Sequence, residues 1–274
     1  MTQKTSRLKE DYSLEDGTVR RAYTTEEDAY LLFNYTTAPR EEIEARLRRN
    51  WNSIVDHSSK ILGLKRPNIR THQLAVLLPN NLVNAYWWGF IMADGYISNK
   101  GILRVALSDI DRDHLEKLST YIGKGTVGEY SGGMVYLDAC DKINGLALLH
   151  KLNITARKTY NPPSSFDFLL TPEERLAFFI GFSDGDGSIQ FDHNDSFKSL
   201  RIVVHHNWYL LLEGFCATLA QENPLRFTVN NTNSRGNTSV YLGTKASHQY
   251  LRDFIIANGL PALDRKWRLS EDRN

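Results

Sequence analysis

Two aspartates, Asp94 and Asp186, close two segments of nearly the same design: AYWWGFIMADG over Ala85–Gly95 and AFFIGFSDGDG over Ala177–Gly187. Aligned on the final Asp-Gly pair, Trp88 falls on Ile180, Gly89 on Gly181, Phe90 on Phe182 and Ala93 on Gly185. A glycine inside an apolar helix costs about 1 kcal/mol against alanine, so Gly89 and Gly181 need a packing reason. Gly89 with Ala93, and Gly181 with Gly185, place small residues four apart on one helix face, which lets two backbones approach closely. An acid in the last helical turn also sits at the unfavourable end of the macrodipole. If the two helices pair in register, Asp94 and Asp186 meet as two like charges, and a divalent cation would neutralise them.

These paired runs resemble the signatures of the LAGLIDADG homing endonucleases in their single-chain, two-motif form. The first motif departs from the pattern at Met92, where the second carries Asp184. The resemblance implies that the two helices form a pseudo-twofold interface and that Asp94 and Asp186 bind Mg²⁺ for cleavage of double-stranded DNA. Each half then ends in a matching stretch, ITARKTYN and LPALDRKWR, in which Lys158 meets Lys266 and each lysine follows an arginine, Arg157 or Arg265. By the same resemblance, Lys158 and Lys266 approach the scissile phosphates, with Arg157 and Arg265 as backbone-contact neighbours. The expected activity is a site-specific, metal-dependent double-strand break at a long, near-asymmetric target. The alternative is a regulator or intron maturase that binds DNA or RNA on the same scaffold without cutting.

Other chemistries lack their residues. No glycine-rich phosphate loop precedes a helix, and no Cys/His cluster has zinc spacing. His205-His206-Asn207 lies in a strand pattern and lacks the spacing of a metal finger, although His205 and His206 could help to organise water. Cys140 and Cys216, far apart in sequence, suggest a reducing, intracellular setting. The polar N-terminus argues against a targeting peptide, and no apolar run is long enough for a membrane span. A net charge of +1 is low for a DNA-binding chain, so its basic surface must be local.

The elements that would position these residues are readable in order. Residues 1–66 form a small all-α unit. Its first helix opens at a Thr24/Thr25 cap and carries Ala29, Leu31, Leu32 and Phe33. Pro39 opens the second, with Ile43 and Leu47 on its apolar face, and the third runs from Asn50 to Gly63. Arg46, Arg48, Arg49, Lys60, Lys65, Arg66 and Arg70 follow an acidic stretch, with only Asp56 between them. The three-helix order and basic exit resemble a Myb-like helix-turn-helix, with Arg48, Arg49, Asn52 and Lys60 as its DNA contacts. Residues 67–79, with Pro67 and Pro79, read as a linker.

Two half-domains follow, 80–165 and 166–274. Each reads α-β-β-α-β-β-α, giving an α/β (α+β) fold whose antiparallel sheets would form a saddle on DNA. Thr171, Pro172 and Glu174 predict a capping box with proline at the first helical position. Strand alternation separates an apolar face from a polar one. The polar set is Tyr96, Ser98, Lys100, Arg104 and Ser108 in the first half, and Ser188, Gln190, Asp192, Arg201, His205, Arg226, Thr228 and Asn230 in the second. Such side chains can read base edges in the major groove. Two motifs in one chain predict a monomer with internal pseudo-symmetry.

Overall fold

The computed structural model of the protein describes residues 12–13, 19–65, 74–123, 127–155, 157–232 and 236–269. The N-terminal leader, most of the linker, Arg66 and Arg70 therefore lie outside the described residues. The chain divides into two compact units, 1–69 and 70–274.

The smaller unit has the three expected helices, α1 (Thr25–Asn34), α2 (Arg40–Leu47) and α3 (Trp51–Lys60), but it is not all-α: a short antiparallel pair, β1 (Tyr12–Ser13) with β2 (Val19–Arg20), precedes them. Thr24 caps α1 through a full capping box with Glu27. Asn50 caps α3 by accepting from the Asn52 amide. Arg48, in the left-handed region at φ 53°, makes the three-residue turn from α2 into α3. Leu31, Tyr35, Ile43, Leu47 and Ile54 form the core. Of the apolar residues that α1 carries, Leu31 is buried while Leu32 and Phe33 are exposed.

The larger unit begins with a 3₁₀ turn at Leu74–Leu77, expected in the linker but packed into this unit's core. Trp88 Nε1 donates to Leu77 O at 2.7 Å, and Asn84 Nδ2 donates to the carbonyls of Val76 and Pro79, each at 2.8 Å. The first half then runs α4 (Leu82–Asp94), β3 (Gly95–Ile97), β4 (Ile102–Ser108), α5 (Arg112–Tyr121), β5 (Val127–Tyr130), β6 (Met134–Cys140) and α6 (Lys142–Lys151). The second repeats it with α7 (Pro172–Asp186), β7 (Gly187–Phe191), β8 (Phe197–His205), α8 (Tyr209–Glu222), β9 (Phe227–Thr232), β10 (Asn237–Leu242) and α9 (Lys245–Asn258), closed by α10 (Asp264–Trp267). Both sheets are antiparallel with the same topology, β3-β4-β6-β5 and β7-β8-β10-β9. The predicted mixed fold of two repeated halves is the one observed.

One continuous core joins the halves, with α4 and α7 at its centre. Both helices are buried along nearly their whole length because each is covered by a sheet and by the other helix. A Cβ on Gly89 would overlap the Phe178 carbonyl oxygen and lie 2.8 Å from Phe182 N. A Cβ on Gly181 would overlap Tyr86 O and lie 3.0 Å from Phe90 N. The backbones touch through the missing side chains, which is the packing reason that the mid-helix glycines required.

The α7 cap differs from the expected box. Thr171 Oγ1 accepts from Glu174 N at 3.1 Å, but the Glu174 carboxylate reaches past the cap to Leu170 N at 2.7 Å and Asn80 Nδ2 at 3.0 Å. The carboxylate thereby ties the start of α7 to Asn80, the residue before the Asn81 cap of α4. Among the described residues no helix is long and apolar enough to cross a membrane.

Substituting Gly181→Ala should lower stability by about 3 kcal/mol through overpacking, a melting shift of roughly 6–12 °C for a unit of this size. Thermal melts of the variant check this; an unchanged midpoint would mean that the backbones do not touch there.

Candidate active site and sheet faces

Each central helix passes straight into a strand: α4 ends at Asp94 and β3 begins at Gly95, while α7 ends at Asp186 and β7 begins at Gly187. No loop intervenes because Gly95 and Gly187 leave no room for a side chain; a Cβ at Gly95 would lie 2.7 Å from Ile91 O. The two acids are thus fixed by the helices rather than by loops. Asp94 lies against the opposite helix, where a Cβ on Gly185 would be 3.3 Å from its Oδ2. Asp94 is half-buried, and Asp186 opens to solvent.

The electrostatics follow from this convergence. Loss of water and the charge of Asp186 push the Asp94 carboxyl up to about 6, against the pull of Lys266 and Lys158. Partial desolvation also raises Asp186, opposed by Lys158 and then Lys266. No hydrogen-bond donor reaches either carboxylate among the described residues. Asp184, two residues earlier and fully buried, is different: it accepts from Tyr86 Oη at 2.6 Å, Trp267 Nε1 at 2.7 Å and Leu263 N at 2.9 Å. The acid at the position where the first motif carries Met92 is therefore a saturated structural acceptor, and the two terminal acids are not.

Lys158 and Lys266 both come to this place, in a role that the sequence did not reveal. Lys158 Nζ donates to the carbonyls of Met92 and Ala93 at the end of α4, the latter at 2.5 Å. Lys266 Nζ donates at the end of α7 to Ser183 O at 3.3 Å, Gly185 O at 3.4 Å and Gly187 O at 2.7 Å, and to Asp184 O. Each ammonium caps the orphan carbonyls of its own half's central helix. Burial lowers Lys158 to about 8, with Asp186 and Asp94 resisting, and lowers Lys266 as well.

Two depressions lie near Asp186, which lines the first. One, of about 330 Å³, is lined by Lys158, Tyr160, Asp186, His205, Trp208 and their neighbours. The other, of about 370 Å³, is lined by Gly187, Ser188, Ile189, Phe191, Arg265, Lys266 and Arg268. His205 accepts from Asn207 N at 3.3 Å and meets the edge of Tyr160, so it lines the first depression while capping the turn that follows. His206 is exposed beside it.

The residues present suit a hard divalent cation. Two carboxylates without donors lie close enough for the charge of Asp186 to raise Asp94, Asp186 borders accessible space, and among the described residues no third His, Cys, Asp or Glu joins them to form a group of three. Such a set suits Mg²⁺, which favours one or two carboxylates and completes its shell with water and phosphate oxygens.

The sheet faces divide as the alternation predicts. Tyr96, Arg104 and Ser108 are exposed on the first sheet, and Ser188, Gln190, Arg201, Thr228 and Asn230 on the second, with Arg226 exposed just before β9. Cross-strand register aligns Tyr96, Arg104 and Asp138 in one row and Ser188, Arg201, Tyr241 and Thr228 in another.

Several expected DNA contacts have other partners. Arg104 grips Asp138 at 2.6 and 2.5 Å, so its charge is matched on the same face. Asp192 ends in a turn whose amides, Asn194 and Ser196, it accepts at 2.9 Å each. Ser98 Oγ accepts from Lys100 N and Ile102 N, and Lys100 stands in that turn rather than on a strand. Arg265 grips Asp111 at 2.6 and 2.5 Å, whereas Arg157 is exposed. In the smaller unit, Arg49 is a correction: its guanidinium holds Glu27 and the carbonyls of Arg21 and Ala22 and stacks over Tyr23. It is an internal brace, too occupied to face a groove. Lys60 pairs with Asp56 at 3.0 Å on the surface, and Lys60, Arg48 and Asn52 are all exposed.

No protein-family profile matches the chain, and no curated protein does. Solved structures do resemble it. The structure of I-DmoI in complex with DNA and Ca is 16% identical, with a TM-score of 0.48 over 73% of this chain and 99% of that one. The I-SmaMI LAGLIDADG homing endonuclease bound to cleaved DNA is 13% identical, with a TM-score of 0.43 over 70% and 87%. The LAGLIDADG meganuclease I-AabMI bound to uncleaved DNA is 12% identical, with a TM-score of 0.45 over 69% and 88%.

The raised Asp94 carboxyl gives a stability prediction. Between its ordinary value of 3.8 and about 6, the folded state binds more protons than the unfolded one, so folding stability falls as pH rises through that window. In EDTA at pH 8, Asp94→Asn should therefore melt higher than the parent, and the difference should vanish near pH 4. Millimolar Mg²⁺ or Ca²⁺ should raise the parent's midpoint but not that of Asp94→Asn/Asp186→Asn. Equal response of both proteins to the cation would remove the shared site.

Proposed function

We propose that the protein is a site-specific DNA endonuclease that makes a Mg²⁺-dependent double-strand break, acting as a monomer. The observation that carries this reading is the pair Asp94 and Asp186: two acids without hydrogen-bond donors among the described residues, brought together at the ends of two rigid helices, with Asp186 lining an open depression. An acid pair left unsatisfied in this way is costly to the fold unless something else uses it. The likeness of the two motifs to the LAGLIDADG signature agrees with that use.

The chain's own groups would divide the work as follows. Asp94 and Asp186 would hold Mg²⁺ between the two half-sites. When bound, the ion supplies Lewis-acid polarisation of a phosphoryl oxygen and lowers the pKa of water. Lys158 and Lys266 would hold positive charge beside the scissile phosphates and offset the acids in the DNA-free protein. Above about pH 8 the Lys158 ammonium gives up its proton, and the neutral amine could then accept one from water. His205 would border the water space next to Asp186. Arg157 would contact backbone phosphate, together with what Arg265 can offer beyond Asp111.

The two sheets would lie as a saddle on the duplex. Gln190, Thr228 and Asn230 would read base edges from the second half, and Tyr96 and Ser108 from the first, with Arg201 and Arg226 free to meet phosphate or guanine. Residues 1–66 would act as a helix-turn-helix on flanking DNA, with Arg48, Asn52 and Lys60 as the contacts left exposed.

The test uses duplexes recovered by binding from a randomised pool in Ca²⁺, cloned into plasmid. The full chain should linearise such plasmids in Mg²⁺ and not in EDTA. Asp94→Asn and Asp186→Asn should each lose at least a hundredfold of that rate with DNA affinity within a few-fold. Binding without cutting by the parent chain would favour the non-cleaving regulator instead.

Removing residues 1–66 should weaken DNA binding and flatten its salt slope while the cut position stays the same. Footprinting and binding titrations at several salt concentrations measure this. Identical affinity, footprint and slope would show that the small unit serves some purpose other than DNA contact.

A further inference from the structure

Both lysines cap a helix of their own half, yet the segments that carry them are fastened to the other half. Lys158 is followed by Thr159 and Tyr160, whose carbonyls accept from Trp208 Nε1 at 3.0 Å and Asn207 Nδ2 at 2.6 Å. The Tyr160 ring also packs edge-on against His205. All three partners belong to the second half, at the end of β8 and in the 3₁₀ segment His206–Trp208. Lys266 is preceded by Arg265, which Asp111 grips in a two-bond ion pair. Lys117 Nζ adds a bond to Ala262 O at 3.4 Å and stands 3.5 Å from Asp264. Those partners belong to the first half, in the 3₁₀ segment Asp109–Asp111 and in α5.

The two fastenings occupy the same topological place, where each half's second strand hands over to its next helix, but they use different chemistry. One is a charged fork; the other is a pair of neutral donors on backbone carbonyls. The central helices meet at a fixed distance through Gly89 and Gly181. A crossed fastening therefore makes each lysine's position depend on the docking of the opposite half as well as on its own helix end. If the halves separated or rotated, the segment would pull its ammonium off the carbonyls it caps.

We propose that Asp111 with Lys117, and Asn207, are positioning residues that set Lys266 and Lys158 respectively from the opposite half, so that each lysine is correctly placed only when both halves are docked. This inference rests on the nuclease reading for its cleavage readout and is independent of it for its labelling readout.

The experiment compares the full chain with Asp111→Ala/Lys117→Ala and with Asn207→Ala, after melts confirm that all three are folded. In the first readout, an amine-acylating reagent is applied at fixed pH and the modification of Lys158 and Lys266 is quantified by mass spectrometry. The Asp111→Ala/Lys117→Ala protein should label Lys266 at least threefold faster with Lys158 unchanged, and Asn207→Ala should do the reverse. In the second readout, each strand of a selected duplex carries its own end label. Each variant should slow cutting of one strand by threefold or more, the two variants should affect opposite strands, and affinity in Ca²⁺ should stay within twofold. Labelling that is unchanged, or that rises equally at both lysines in either variant, would overturn the proposal. A parent chain that cuts neither strand would overturn the nuclease reading, while the labelling result would still decide the positioning one.

Discussion

The touching backbones of α4 and α7 are the contact from which the rest of the larger unit takes its geometry. Because Gly89 and Gly181 carry no side chain, the helix axes come closer than any larger residue would permit, and the two C-termini converge. Each helix then enters its sheet without a loop, so the strand starts and the acids Asp94 and Asp186 share one rigid origin. A single core spreads from this seam into both halves. Precision at the site is thus supplied by packing, with no mobile connection between seam and carboxylate.

The same convergence concentrates charge that the fold alone leaves poorly compensated. Two acids meet at the negative ends of two helix dipoles, and the shift of Asp94 from 3.8 to about 6 corresponds to roughly 3 kcal/mol of disfavoured ionisation. Lys158 and Lys266 offset part of that by capping the helix carbonyls, at the cost of their own hydration. The contrast with Asp184 is instructive. With three donors it is a fully satisfied acceptor that joins α7 to α4 through Tyr86 and to α10 through Trp267. Asp94 and Asp186 lack such partners, and this difference separates an acid that holds structure from a pair available to a ligand.

Duplicated architecture has not meant duplicated chemistry. Met92 stands where the second motif has Asp184, and among the described residues only the second half ties its terminal lysine segment to its central helix through a buried carboxylate. The outer faces differ too. On the first sheet, Arg104 is matched by Asp138 in a row with Tyr96, and Tyr130 stacks near Tyr136. The second sheet presents Gln190, Thr228 and Asn230 with Arg201. Under the proposed function, two such unlike faces suit a target whose half-sites are themselves unlike.

Much of this was legible in the amino-acid sequence because it is governed by neighbours within four positions. The cap at Thr24, the start of the third helix at Asn50, the alternation of β4 and β8, the repeated strand order and the small residues of the two motifs all obey local periods. Tertiary structure alone decided where the long charged side chains go. Arg265 finds Asp111 across 154 positions, Arg49 turns inward on Glu27, Glu174 reaches past its cap to Asn80, and the two lysines bend onto helix carbonyls instead of pointing freely outward. The physical reason is reach. A helix or strand period limits a residue to one face, but an arginine or lysine chooses among every acceptor that chain closure brings within its flexible length.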